Sequence, residues 1–92
     1  MNALRFTVYG KPGCALCEKA LDAIRILSRT YPLQLTYVNI LEDPGLYARY
    51  HDRIPVVLLE GEEVAEGRVS FVSIEAIVRS RFRGIPRGSS RV

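Results

Sequence analysis

Leu4, Phe6 and Val8 alternate with Arg5, Thr7 and Tyr9, the period-two pattern of a strand with one face buried. Gly10-Lys11-Pro12-Gly13 ends it, since glycine and proline supply turn geometry that a strand does not continue through. From Ala15 to about Arg29 the apolar residues Leu16, Cys17, Ala20, Leu21, Ile24 and Leu27 recur at three- and four-residue steps, while Glu18, Lys19, Asp22 and Arg25 share the other side. This spacing predicts an amphipathic helix. Tyr31-Pro32 breaks it, and Leu35-Thr36-Tyr37-Val38-Asn39-Ile40, rich in β-branched and aromatic residues, reads as a second strand. Strand, helix and strand within about forty residues make a right-handed crossover joining two parallel strands.

Beyond this unit, Glu42-Asp43-Pro44-Gly45 can open a short helix running through Tyr50, because acidic residues and an early proline suit a helix start. Val56-Val57-Leu58-Leu59 is a continuous apolar run between Pro55 and Gly61, as expected of a buried strand, and Glu63-Val64-Ala65-Glu66 can return beside it as a hairpin. Ser70 is placed to cap a last helix with Phe71, Ile74, Ile77, Val78 and Phe82 on its apolar face. The expected order is β-α-β-α-β-β-α, an α/β class protein in which a small mixed sheet is covered by helices. Residues 1–82 form the one expected domain, and 83–92, rich in Gly, Pro, Ser and Arg without periodicity, read as a disordered basic tail.

Composition narrows the class. At 92 residues, 48% hydrophobic and 25% charged, the chain has a globular balance and length for a single core. The net charge of +3 is unevenly placed: five arginines lie in the last fourteen residues, whereas residues 1–78 carry eight basic and ten acidic side chains, a net of −2. No RNA-reading motif or aromatic platform accompanies the basic end, so no nucleic-acid partner is expected. No apolar run approaches membrane-spanning length, and the first residues lack the apolar stretch of a secretory signal, so no membrane association and a cytoplasmic location are expected. Two cysteines three residues apart offer no disulfide framework of the secreted kind.

Those cysteines carry the chemistry. Cys14-Ala15-Leu16-Cys17 falls where the first strand hands over to the first helix, and two intervening residues put both thiols on the first helical turn, within reach of a disulfide. Cys14 precedes the helix and meets its unpaired N–H groups, which favour a thiolate; Cys17 lies one turn in, on the apolar stripe. Cys14 is thus expected to be exposed and nucleophilic, and Cys17 covered and resolving. Lys11 is the nearest cation in sequence that can add to the stabilisation of a Cys14 thiolate, together with N–H groups of Leu16 and Cys17. The benefit to attack is partly offset, because nucleophilicity falls with pKa; the larger gain comes when Cys14 is the leaving sulfur.

Tyr9-Gly10-Lys11-Pro12-Gly13-Cys14-Ala15-Leu16-Cys17, with Ile54-Pro55-Val56-Val57, resembles a glutaredoxin-like protein of the thioredoxin-fold superfamily over about residues 4–82. The resemblance implies a thioredoxin-like fold, with Cys14 and Cys17 as the redox pair. It also implies a cis bond at Pro55, Lys11 near a glutathione carboxylate, and the backbone of Ile54 pairing with the cysteinyl part of glutathione. No permanently bound cofactor is implied; glutathione is the co-substrate, and the partners are a protein disulfide or glutathione, met by a monomer. This chain departs from the usual pattern: Ala-Leu replaces Pro-Tyr between the cysteines, Arg53-Ile54 replaces Thr-Val before the proline, and Glu66-Gly67-Arg68-Val69-Ser70 has one glycine and no aspartate. It fits the glutaredoxin-like subgroup better than the well-studied dithiol enzymes.

Other readings follow from the same residues. A structural zinc site would need four ligands, and His51 is the only further strong one. An iron–sulfur cluster bridged between two subunits through Cys14 and glutathione resembles what some glutaredoxins hold, and a non-catalytic thioredoxin-fold interaction module is the other alternative. His51, at the end of a short helix, is expected to cap it or meet solvent. Lys11 and Arg53 would otherwise be solvated surface. Tyr9 lines the site or points outward, and Tyr37, Tyr47 and Tyr50 are expected to pack.

Overall fold

A computed structural model describes residues 3–82. The elements are β1 (Leu4–Gly10), α1 (Ala15–Leu27), β2 (Leu33–Asn39), a turn of 3-10 helix (Ile40–Glu42), α2 (Pro44–Tyr50), β3 (Val56–Leu59), β4 (Glu62–Glu66) and α3 (Phe71–Arg81). The expected order is present, with the 3-10 turn added. The tail at 83–92 lies outside the described residues.

The four strands form one sheet in the order β2-β1-β3-β4. β2 runs parallel to β1, as the crossover requires, and the other two pairs are antiparallel. Phe6 and Val8 of β1, with Val57 and Leu59 of β3, point to the face covered by α1 and α3. There Ala20, Leu21, Ile24, Leu27, Ile74 and Val78 complete the main core. On the opposite face α2 brings Tyr50 against Val56 and Leu58, with Tyr9, Leu46 and Ile54 around them. The run Val56–Leu59 is therefore apolar throughout because both of its faces are covered.

Local chemistry sets the ends. Cys14, Asp43 and Ser70 cap α1, α2 and α3, each accepting from backbone N–H groups of the first turn. Pro44 occupies the first turn of α2, where its missing N–H costs nothing. β2 starts at Leu33 and not Leu35, because Leu33 pairs with Leu4 and the Leu4 N–H donates to Pro32 at 3.0 Å. Ile40 leaves the strand: the Asn39 side chain accepts from the Leu41 N–H at 2.9 Å, which closes the 3-10 turn and turns Ile40 into the interior. α1 stops at Leu27, and Arg29 follows in turns closed on Ile26 and Leu27 carbonyls.

Three expected packing positions differ, Phe71, Tyr47 and Tyr37. Phe71, the first residue of α3, is exposed. Ile74 and Val78 are fully buried, and Phe82 meets the edge of Tyr31 at 5.3 Å between ring centres. Tyr47 lies on the outer side of α2, stacked on His51, and Tyr50 turns inward with Leu46 packed beside it. His51 is the C-cap residue of α2, its Nδ1 2.9 Å from the Tyr47 carbonyl. No helix among the described residues is long and apolar enough to cross a membrane.

β4 carries a bulge. Ala65 lies opposite Val57 and Glu63 opposite Leu58, leaving Val64 as an extra residue. Val64 and Ala65, though adjacent, both pack against the main core, so Glu63 and Glu66 share the other face despite being three apart.

Candidate functional site

β1 ends at Gly10, and Lys11, Pro12 and Gly13 form an exposed turn in which Gly13 has φ +77°, a conformation open to glycine at no steric cost. The turn delivers Cys14 to the N-cap of α1. Its Sγ accepts a hydrogen bond from the Cys17 N–H at 3.1 Å, and its carbonyl accepts from the Glu18 N–H at 3.1 Å. Cys14 is half-buried and Cys17 fully buried. The two are joined in a disulfide, with Cα atoms 5.2 Å apart. Cys17 is covered as expected, whereas Cys14 is not fully exposed. Cys14 is less open than expected because its sulfur folds back over the first turn to meet Cys17. Of the two N–H donors foreseen, Cys17 supplies the bond and Leu16 does not.

Cys17 packs on the end of β1. A Cβ on Gly10 would lie 3.0 Å from Cys17 Sγ, 3.1 Å from Cys17 Cβ and 3.2 Å from the Tyr37 ring. These are tighter than nine in ten real Cβ contacts, so Gly10 keeps room for the inner sulfur. The Gly10→Ala variant is expected to lose about 1–3 kcal/mol, the usual cost of overpacking, read as a lower urea midpoint. An unchanged midpoint would contradict the close approach of Cys17 to β1.

Tyr37 is the aromatic of this flank and not the packing residue expected of it. It continues the inward row of Leu33 and Leu35, but at the end of β2 it runs beyond the covered core and is 40% exposed. Partial burial raises its phenol pKa, and the carboxylates of Glu18 and Glu42 add to the rise. Its parallel pairing opposite Val8 was the only signal that could have placed it beside the cysteines.

The Ile54-Pro55 bond is cis, as the family pattern implies. Pro55 is buried and enters β3, whose Val56 pairs with Tyr9. Continuing that antiparallel register brings Pro55 level with Gly10, on the strand next to it, so the cis-proline turn and the cysteine pair share one end of the sheet. The Ile54 N–H donates to the Tyr50 carbonyl at 3.1 Å, and the Pro55 carbonyl accepts from the Gly67 N–H at 2.8 Å. Ile54 therefore keeps its carbonyl, and not its N–H, open among the described residues. Lys11 is exposed and makes no ion pair among them.

Arg53 is partly exposed but not free. Its guanidinium donates to Glu66 at 3.0 and 2.6 Å and to Glu63 at 2.6 Å, and lies 5.1 Å from the Tyr50 ring centre. Tyr50 donates its hydroxyl to Glu63 at 3.1 Å and packs on Tyr9, 4.9 Å between centres. Sequence reasoning treated these residues separately; the i, i+3 spacing of the two glutamates conceals their shared face. The hydrogen bond from Arg53 holds the Glu63 carboxyl below its ordinary 4.5, helped by Tyr50 and by the charges of Arg53 and Arg49, against desolvation. A lowered folded-state value means that the pairing stabilises the protein above the unfolded value and is lost as pH falls through the folded one. The stability gap between wild type and Glu63→Gln is thus expected to be constant from pH 7 to about 5 and to shrink below the ordinary carboxylate value. Urea titrations at several pH values measure it. No group of three or more His, Cys, Asp or Glu side chains among the described residues could hold a metal ion.

A four-stranded mixed sheet, a dithiol pair at the head of the first helix and a cis-proline beside it define a thioredoxin-fold protein. The chain belongs to the Glutaredoxin-like domain (DUF836) family, whose model matches residues 5–79. It is similar to an uncharacterized protein of Mycobacterium tuberculosis, 32% identical over 82 residues, covering 83% of this chain and 84% of the relative. Among solved structures it is similar to protein Ne2328 of Nitrosomonas europaea, with 29% identity, a TM-score of 0.68 and coverage of 84% of this chain and 93% of the other. Thioredoxin O2 of Arabidopsis thaliana in its oxidized state, at 19% identity, shares the fold: the TM-score is 0.66, with coverage of 88% and 76%.

Proposed function

We propose that this protein is a thiol–disulfide oxidoreductase of glutaredoxin type that reduces protein or glutathione mixed disulfides. In the reduced protein the Cys14 thiolate attacks one sulfur of the substrate disulfide, forming a mixed disulfide and expelling the other half as a thiolate that takes a proton from water. Cys17 then loses its proton to solvent and attacks the Cys14 sulfur. The Cys14–Cys17 disulfide forms, the second substrate thiolate leaves, and two electrons have passed from the dithiol to the substrate. Two glutathione molecules, leaving as glutathione disulfide, or one protein dithiol, leaving as its own disulfide, reverse the last steps and restore the pair. The setting proposed is the reducing cytoplasm, with the protein acting as a monomer and holding no permanent cofactor.

The observation that carries this reading is the capping bond from the Cys17 N–H to Cys14 Sγ. It makes Cys14 part of the unpaired donor set of α1, and a charged acceptor there is favoured over a neutral one. Lys11, unpaired in the adjoining turn, is the side chain proposed to contribute further and to meet a carboxylate of glutathione. Ile54 and Pro55 are proposed to receive the cysteinyl segment.

The test is the rate of Cys14 alkylation by iodoacetamide against pH in the reduced protein. The midpoint is expected well below the ordinary thiol value of about 8.5. An ordinary midpoint together with no reduction of a glutathione mixed disulfide would leave a binding module and no enzyme.

A further inference from the structure

We propose that Arg53 is a positioning residue of the exchange reaction: clasped by Glu63 and Glu66, it fixes the Ile54-Pro55 turn so that the Ile54 carbonyl is held ready to accept a hydrogen bond from the backbone N–H of a substrate cysteine. The inference deepens the proposed function and rests on it.

The turn is pinned from two sides. Toward α2, the Arg53 and Ile54 N–H groups both donate to the Tyr50 carbonyl, at 2.8 and 3.1 Å. Toward β4, the Gly67 N–H holds the Pro55 carbonyl at 2.8 Å, and the Arg53 guanidinium reaches both glutamates. The bulge at Val64 makes the second grip possible: in an unbroken strand, residues three apart point to opposite faces, and only one of Glu63 and Glu66 could meet Arg53. With its own N–H groups spent, the turn offers a substrate one backbone group, the Ile54 carbonyl, and the clasp fixes where that group lies.

A direct role for Arg53 in binding an acidic substrate fits poorly. One positive charge facing two carboxylates is overcompensated, and its Nε and Nη2 donors are already engaged. The pairs are also partly exposed, with side chains at 34%, 39% and 52% for Arg53, Glu63 and Glu66, so their net contribution to stability is small. Their effect belongs to placement, and it can be separated from folding.

The experiment measures kcat and KM for a mixed disulfide of glutathione with a short neutral cysteine peptide, alongside Tm. It uses wild type, Arg53→Ala, Arg53→Lys and the double variant Glu63→Gln/Glu66→Gln. The expected result for Arg53→Ala is a KM raised between about twofold and tenfold, the worth of one hydrogen bond, with kcat within about twofold. The double variant should raise KM similarly. Arg53→Lys should fall between, since a lysine can answer one carboxylate but not span both as a planar fork does. Unchanged KM in Arg53→Ala with only a lower Tm would overturn the inference. So would a lowered KM in the double variant, because that is the signature of a freed arginine binding substrate directly. Should Arg53→Ala fail to fold, the lysine and double-glutamine variants decide by the same criteria. A wild-type protein that turns over no disulfide overturns the proposed function itself, and this inference with it; an active wild type with insensitive variants overturns the inference alone.

Discussion

Cys14→Ser is expected to remove disulfide reduction on the order of a thousandfold or more, to the uncatalysed background, because a serine hydroxyl supplies no appreciable anion at neutral pH and no reducible sulfur. Cys17→Ser should behave differently. Attack by Cys14 survives, since Cys14 remains the N-cap of α1 and the Cys17→Ser backbone N–H still donates to its sulfur. Resolution fails, so a covalent complex between Cys14 and a protein disulfide substrate accumulates, visible as an added mass that a reductant removes. Added glutathione should restore part of the turnover by taking over the resolving step. Equal activity in the two variants would defeat the assignment of separate roles. The expected asymmetry follows from burial: Cys14 is half-buried and Cys17 is fully buried.

The largest stability effect is expected at Ile24, which is fully buried in α1 within the cluster that joins the sheet to α3. Ile24→Ala removes three carbons from a close-packed site and should cost about 2–5 kcal/mol. Small domains hold about 5–15 kcal/mol in all, so the urea midpoint should fall by a large fraction at constant slope. A loss under about 1 kcal/mol would mean that α1 does not lie on the sheet as described. Activity at low temperature should survive, because the substitution lies ten residues along the helix from Cys14.

The elements were legible where the chain advertises them by periodicity or punctuation. Alternation in Leu4–Tyr9, the three- and four-residue steps after Cys14, and the unbroken apolar Val56–Leu59 each name one packing situation, and each occurs in its place. Ends were less legible where a single hydrogen bond decides them. Ile40 reads as one more strand residue until the Asn39 side chain is seen closing on the Leu41 N–H. At the site, the cysteine spacing and the cis-proline were carried by local motif and family resemblance. What sequence withheld are the contacts between distant segments: Gly10 under Cys17, Tyr37 beside both, and Arg53 between two glutamates. Those depend on strand register, and a strict period-two reading of β4 assigns Glu63 and Glu66 to opposite faces.

The extra residue in β4 also bears on how relatives should be aligned. A hairpin that lacks the counterpart of Val64 needs its two acidic residues spaced by two, not three, to present the same pair to an arginine before the proline. An alignment without gaps would score such a chain as having lost one carboxylate. Opening a gap of one at Val64 would restore the match, so a length difference in this hairpin is compatible with an unaltered grip on the proline turn.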